Sequence, residues 1–309
     1  DCRWVVVPRG HIWKSFIPGG GTGRSFTNEY GYVGVSVVQD ELMMEGMNEK
    51  GLSAGLFYFP DYGKYEEYSE TNYETNISDF QLVSYILGRC ATVDEVKAEI
   101  ARVHIHGFDP RSSTVHWRFA EPSGRQIVLE IIDGKCVFYE NKLGVLTNSP
   151  SFDWQLTNLN NYVNLLPGRT EPHTLGNMSL SSFGGGSAMI GLPGDFTPPS
   201  RFVRAAFFQS TAPQKPDAEG SVFTAFHILG SMEIPIGAQF PVDETPADIP
   251  SATQCTCVTD MSGLKFYYRS MYDGGIRCID LKKIDFKKIG LKSEPLVPSK
   301  KEFVHHIRF

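Results

Sequence analysis

The sequence predicts an α+β fold in which two antiparallel sheets pack together with helices outside, a four-layer α/β/β/α arrangement. Three observations carry this. Segments rich in β-branched and aromatic residues fall into two groups, one over residues 114–147 and one over 255–281. Hairpin signals join the members of each group, so neighbours should pair antiparallel. Elsewhere the apolar spacing changes from a period of 2 to one of 3.6, the repeat of a helix.

In chain order, Asp79–Leu87 sets Phe80, Val83, Ile86 and Leu87 at helical spacing and stops at Gly88. Thr92-Val-Asp-Glu95 is a capping-box pattern, opening a helix through Val103 with Val93, Val96 and Ile100 on one face. Thr114–Phe119, Gln126–Ile132, Lys135–Tyr139 and Gly144–Thr147 read as strands, with turns at Gly124 and at Asp133-Gly134. Asp153–Leu165 and Pro199–Gln209 read as helices, the second with Phe202, Ala205, Ala206 and Gln209 on one stripe. Phe223–Leu229 completes the set, with Phe223, Phe226 and His227 on its apolar side and His227 expected as a hydrogen-bonded core residue. The second strand group is Cys255–Thr259, Lys265–Met271 and Ile276–Leu281, joined by Ser262-Gly263 and Asp273-Gly274-Gly275. The polar loops Pro213–Glu219 and Pro241–Pro250 are too short to separate independent units, so residues 1–309 read as one domain.

Composition limits the partners. Lys plus Arg total 29 against 35 Asp plus Glu, a net charge of −6, which leaves no basic excess for a nucleic acid. No apolar run reaches the roughly 18 to 20 residues of a membrane span, and the N-terminus lacks the pattern of a signal peptide. The cysteines, Cys2, Cys90, Cys136, Cys255, Cys257 and Cys278, are scattered and read as reduced thiols of a cytoplasmic-type protein, with a periplasmic or secreted location left open.

Most candidate sites dissolve on inspection. Cys255-x-Cys257 puts two thiols on one strand face but has no second pair to complete a zinc site. His104, His106 and His116 have no acidic or cysteine partner at ligand spacing and read as surface or loop residues, so neither metal nor cofactor is expected. Gly19–Gly23 and Gly184–Gly186 lack the Gly-Lys-Ser/Thr of a phosphate loop, and no G-x-S-x-G anchors a serine triad. Asn148, closing a strand in Leu146-Thr-Asn-Ser-Pro150, either caps a turn or projects an amide donor into a cleft. Arg201 falls in the first turns of a helix that follows a tight turn at Gly191–Gly194.

Three motifs change the footing. Gly46-Met-Asn-Glu-Lys-Gly-Leu52, Gly144-Val-Leu-Thr-Asn-Ser-Pro150 running into Phe152-Asp-Trp154, and Gly191-Leu-Pro-Gly-Asp-Phe-Thr-Pro198 with Ser200-Arg201-Phe202 resemble the choloylglycine hydrolase family in order and interval. This family comprises bile salt hydrolases and penicillin V acylases. The resemblance runs from about Val5 to Leu281. It implies an N-terminal nucleophile hydrolase fold and hydrolysis of a linear amide, with an N-terminal cysteine as nucleophile and its own α-amine as base. By motif match, Asn148 would donate its side-chain amide to the oxyanion, the backbone N–H of Tyr58 would complete the oxyanion hole, and Arg201 would sit near the nucleophile. The family also implies a homo-oligomer, a tetramer.

The chain departs from the family at its start. Trp4–Arg9 matches the family strand that follows an Arg-x-x-Asp, and Cys2, preceded by Asp1, has no such Arg-x-x-Asp behind it. The expectation is that the nucleophile segment is missing and that the chain as it stands is inactive; the alternative is a non-catalytic binding protein on the same fold. Phe57, Phe59 and Met43, with the loops Val38–Glu45 and His104–Ser113, are expected to border an apolar acyl site for a bile salt or penicillin V type substrate. Tyr58 leans toward the penicillin V acylases.

Overall fold

Among the described residues up to Tyr58 the regular elements are all strands: β1 (Cys2–Val7), β2 (Ile12–Ile17), β3 (Gly21–Thr27), β4 (Tyr32–Val37), β5 (Met43–Asn48) and β6 (Ser53–Tyr58). The computed structural model describes residues 2–19, 21–109, 112–238 and 252–298, with 301, 303, 304 and 307. The loop Pro241–Pro250 and the pair His305 and His306 lie outside these described residues. Of the six early strands only the segment around Trp4–Arg9 is identified from sequence, by resemblance. The reason is physical: runs such as Val5–Val7 and Tyr32–Val35 are buried on both faces, which erases the alternation that marks a half-exposed strand.

Four of these strands join β9 (Val115–Ala120), β10 (Gln126–Ile132), β11 (Lys135–Glu140) and β17 (Lys292–Pro295) in an eight-stranded sheet of order β11-β10-β9-β6-β5-β4-β1-β17. Every neighbouring pair in it is antiparallel. A second antiparallel sheet comprises β14 (Cys255–Asp260), β15 (Lys265–Ser270) and β16 (Arg277–Asp280). Smaller pairs are the β2–β3 hairpin, the parallel pair of β7 (Asn76–Ser78) with β8 (His104–His106), and the hairpin of β12 (His173–Leu175) with β13 (Met178–Leu180).

Helices α1 (Leu82–Leu87) and α2 (Val93–Ile100) cover one face of the large sheet, where Val5, Val7, Met43, Leu56, Trp117, Phe119 and Leu129 join Val83, Leu87 and Val96 in one apolar cluster. Gly34 and Gly46 stand opposite each other in β4 and β5 on that face. A Cβ on Gly46 would lie 2.8 Å from Leu87 Cδ1, so the missing side chain lets α1 settle onto the sheet. On the other face, Val6, Val33, Val35 and Met47 pack against Phe266, Tyr268 and Leu281 of the smaller sheet and its flank. Further along, Val128 meets Phe152 of α3 (Phe152–Asn158) and Phe202 and Ala206 of α4 (Pro198–Thr211). Helix α5 (Ala218–Gly230) packs Val222 and Phe226 on Tyr267.

Several expectations change in detail. Thr92 does cap α2, accepting from the Glu95 N–H, while Glu95 returns a carboxylate to the Ala91 N–H. Gly144–Thr147 is not a strand; Asn141 ties the segment into a loop, its side chain accepting from the Gly144 N–H and donating to the Val145 carbonyl. The expected helix Asp153–Leu165 becomes α3 followed by a single 3₁₀ turn over Leu159–Tyr162. Helix α5 starts at Ala218, where Asp217 caps it, and its rotation exposes Phe223 and His227 because the buried pair is Val222 and Phe226, four residues apart. His227 is therefore not a core residue. His106 and His116, read as surface or loop residues, are both buried.

Candidate active site

Tyr58, Asn148 and Arg201, drawn from three distant parts of the chain, meet at one end of the large sheet. Asn148 sits on the loop between β11 and α3, and its Nδ2 donates to the Tyr58 carbonyl at 2.8 Å. Arg201 in the first turn of α4 donates from Nη2 to Asn148 Oδ1 at 2.7 Å. A guanidinium has only donors, so this contact fixes which end of the amide is oxygen and turns Nδ2 toward Tyr58. Ser149 adds a second tie between the same loops, donating to the Pro60 carbonyl at 2.6 Å.

The backbone of Tyr58 is set by strand alternation. Phe59 donates its N–H to the Thr114 carbonyl next to β9, so the N–H and C=O of Tyr58 face the opposite side. There the pairing of β6 with β5 has already ended, at Gly55 with Glu45. The Tyr58 N–H and the Asn148 amide thus approach the same edge of β6, and Asn148 keeps a second amide hydrogen beyond the one used by Tyr58. Donors on one edge of this kind could serve a developing oxyanion.

Arg201 is held by its own helix start. Its Nε donates to the Phe196 carbonyl at 2.9 Å, and Arg204, one turn on, donates to the carbonyls of Pro193 and Asp195. Thr197 is the N-cap of α4, with prolines in the first helical positions. Asp195 gathers the Thr197 N–H, the Thr197 hydroxyl and the Ser200 hydroxyl, and those hydrogen bonds hold its carboxyl down to about 2. Burial, and after it the charge of Arg204, lowers Arg201, which as a guanidinium still stays charged.

The other expected site residues scatter. Phe57 is half-buried and Phe59 fully buried, one on each side of Tyr58; Phe59 stacks on His116 with centroids 4.5 Å apart. Met43 lies apart from them, fully buried in the cluster beneath α1. Tyr58 is 51% exposed, and Tyr62 is exposed nearby. Sequence reasoning missed Asp195 and Ser200, whose Asp-x-Thr-Pro-Pro-Ser pattern at a helix start is the signal that could have found them. It also set His116 aside, although Thr114, His116 and Arg118 alternate with Val115, Trp117 and Phe119 as one polar face.

The thiols sit elsewhere. Cys90 belongs to the cluster beneath α1, Cys136 and Cys278 are exposed, and Cys2, Cys255 and Cys257 pack between the two sheets, with Cys2 Sγ 3.6 Å from Gln254 Oε1. Desolvation raises the Cys90, Cys136 and Cys278 thiols, Cys90 to about 12, the opposite of what a nucleophile needs. Among the described residues no three His, Cys, Asp or Glu side chains group as a metal site, and no helix is long and apolar enough to cross a membrane.

Comparison with known proteins finds relatives of two kinds. The chain is 34% identical over 267 residues to a bile salt hydrolase/transferase of Clostridium perfringens, covering 84% of this chain and 79% of that protein. It is 30% identical over 319 residues to a penicillin V acylase of Pectobacterium atrosepticum, covering 93% and 77%. Among solved structures, a mutant of the Clostridium perfringens conjugated bile acid hydrolase superposes with a TM-score of 0.84 at 29% identity, covering 100% of this chain and 92% of that one. The Agrobacterium tumefaciens penicillin V acylase gives 0.72 at 25% identity, covering 94% and 82%. Residues 3–294 match the family described as linear amide C–N hydrolases, choloylglycine hydrolase family, and the chain belongs to that family.

Proposed function

We propose that this protein hydrolyses a linear amide of the conjugated bile salt or penicillin V type, with Asn148 Nδ2 and the Tyr58 N–H as oxyanion donors and Arg201 holding the Asn148 amide in line. The observation that carries this is the hydrogen-bonded chain from Arg201 through Asn148 to Tyr58. The nucleophile in this reading is an N-terminal cysteine outside Asp1–Phe309, its α-amine taking the thiol proton. Sulfur bonds to the amide carbon, the C–N bond breaks, the amine leaves with that proton, and water then cleaves the thioester and restores the thiol. Asp1–Phe309 alone is accordingly inactive, a reading supported by the raised thiols and by the position of Cys2 beside Gln254.

The acyl group is placed over Phe57 and the exposed ring of Tyr58, with buried Phe59 behind them; Met43, beneath α1, takes no part in this wall. An α/β/β/α order of layers is supported by the clusters that join α1 and α2 to the large sheet, the large sheet to the small one, and α5 to the small sheet. A homo-oligomer, the tetramer of the family, is supported by the apolar residues exposed between α3 and α4: Val163, Leu166, Leu175, Met178, Phe183 and Ile190. A cytoplasmic location accords with cysteines that are few and scattered along the chain.

The test expresses Asp1–Phe309 and the protein from its complete gene, and assays both on penicillin V and glycocholate. The complete protein should turn over and the shorter chain should not, with phenoxyacetyl amides cleaved at least as well as bile salts. Turnover by the shorter chain that Cys2→Ser abolishes would make Cys2 the nucleophile instead. A hundredfold preference for bile salts would reverse the substrate order.

A further inference from the structure

Behind the end of β6 that carries Tyr58 and the loop that carries Asn148 lies a fully buried polar pair, His116 on β9 and Glu130 on β10. His116 Nδ1 is 3.1 Å from Glu130 Oε1, and its Nε2 is 3.1 Å from the Thr147 carbonyl oxygen. Glu130 Oε1 also accepts the Phe152 N–H at 2.9 Å. Thr147 immediately precedes Asn148, and Phe152 opens α3, whose N-cap Ser151 makes no side-chain capping bond. The pair therefore grips the Asn148 loop at both ends. The same imidazole stacks on Phe59 at an interplanar angle of 11° and meets Phe57 edge-on, so it also touches the residue on each side of Tyr58.

A carbonyl oxygen only accepts, so His116 must carry a hydrogen on Nε2, and its tautomer is set by Thr147. Nδ1 then faces Glu130 Oε1. Burying such a pair contributes less to stability than an apolar pair of the same volume, so stability alone does not account for it. Its contacts do: they converge on the two residues whose donors must point at one spot.

We propose that His116 and Glu130 are the positioning pair of the oxyanion site, fixing the Asn148 amide and the Tyr58 peptide relative to each other. This rests on the reading of Asn148 and Tyr58 as oxyanion donors.

The test compares His116→Gln, which keeps a donor near the Thr147 carbonyl, with His116→Phe, which keeps the ring stacked on Phe59 but no hydrogen bond. In the protein from its complete gene, His116→Phe should lower kcat by about a hundredfold with KM nearly unchanged, and His116→Gln by only about tenfold. A packing role predicts the reverse order, and finding it overturns the proposal. Should His116→Phe fail to fold, Glu130→Gln decides: it keeps the shape and an acceptor for Phe152, and an unchanged kcat overturns the proposal where a drop of about tenfold supports it. A readout free of turnover is the side-chain amide resonances of Asn148 in Asp1–Phe309, which should move in His116→Phe; unmoved resonances overturn the positioning role. If the unsubstituted complete protein cleaves neither substrate class, the activity reading fails, and these resonances still decide whether the pair positions Asn148.

Discussion

The two faces of the eight-stranded sheet are built on different terms. Toward α1 and α2 a single apolar cluster runs from β1 to β10. On the other face the apolar cover splits into one cluster under the small sheet and another under α3 and α4. Between them runs a polar seam. Glu45, Gly55 and Arg118 stand in one row across β5, β6 and β9, and Glu45 pairs with Arg118 across the glycine. A Cβ on Gly55 would collide with Glu45 Oε2, so glycine is what lets the two side chains meet. Burial raises the Glu45 carboxyl, opposed by the Arg118 charge. His116 and Glu130 continue the seam toward Asn148. One face is made for stability, the other gives up apolar area to hold charges and donors in place.

Substitutions can break or sharpen that contrast. The largest effect is expected on the apolar face: Trp117→Ala should cost about 3 to 5 kcal/mol in stability, seen as a lower denaturant midpoint, with kcat kept wherever the protein stays folded. A parallel loss of kcat in folded protein would mean that the two faces are coupled. On the other side, Asn148→Ala in the protein from its complete gene should cost about 2.7 to 4 kcal/mol of transition-state stabilisation, mostly in kcat, with little change in Tm. An earlier melt with near-normal kcat would return Asn148 to the role of a turn cap.

Asp79 is a buried carboxyl on the helical side, fully enclosed and accepting from the N–H groups of Phe80 and Phe108. Desolvation raises its carboxyl from 3.8 to about 6. Between those values the unfolded chain gives up its proton first, so stability falls as pH rises across that window, and the penalty is complete above it. Asp79→Asn keeps an acceptor for both N–H groups and should stabilise the protein by up to about 3 kcal/mol at pH 7, with the gain vanishing below about pH 4. Melts across that range that show a constant difference would contradict the assignment. The smallest effect belongs to Tyr58→Phe: if only the backbone of Tyr58 meets the oxyanion, kcat should stay within about twofold. A tenfold loss would bring the hydroxyl into the site.

The sequence alone determined the α+β class, the hairpins of β9–β11 and β14–β16, the cap of α2, and, through its motifs, Asn148, Arg201 and Tyr58 as candidates. These are local signals: alternation, turn chemistry and short runs in fixed order act over a few residues. Tertiary structure decided the rest. Strands β1 and β4 are buried on both sides, so their pattern carries no face to read. His116 and Glu130 alternate with apolar neighbours as solvent-facing residues would, and they are buried through contacts distant in sequence, with Phe59, Thr147 and Phe152. The choice between turn cap and donor for Asn148 depends on contacts 90 and 53 residues away, to Tyr58 and Arg201, and a distance in space that long in sequence is fixed by the pairing of strands rather than by any local preference.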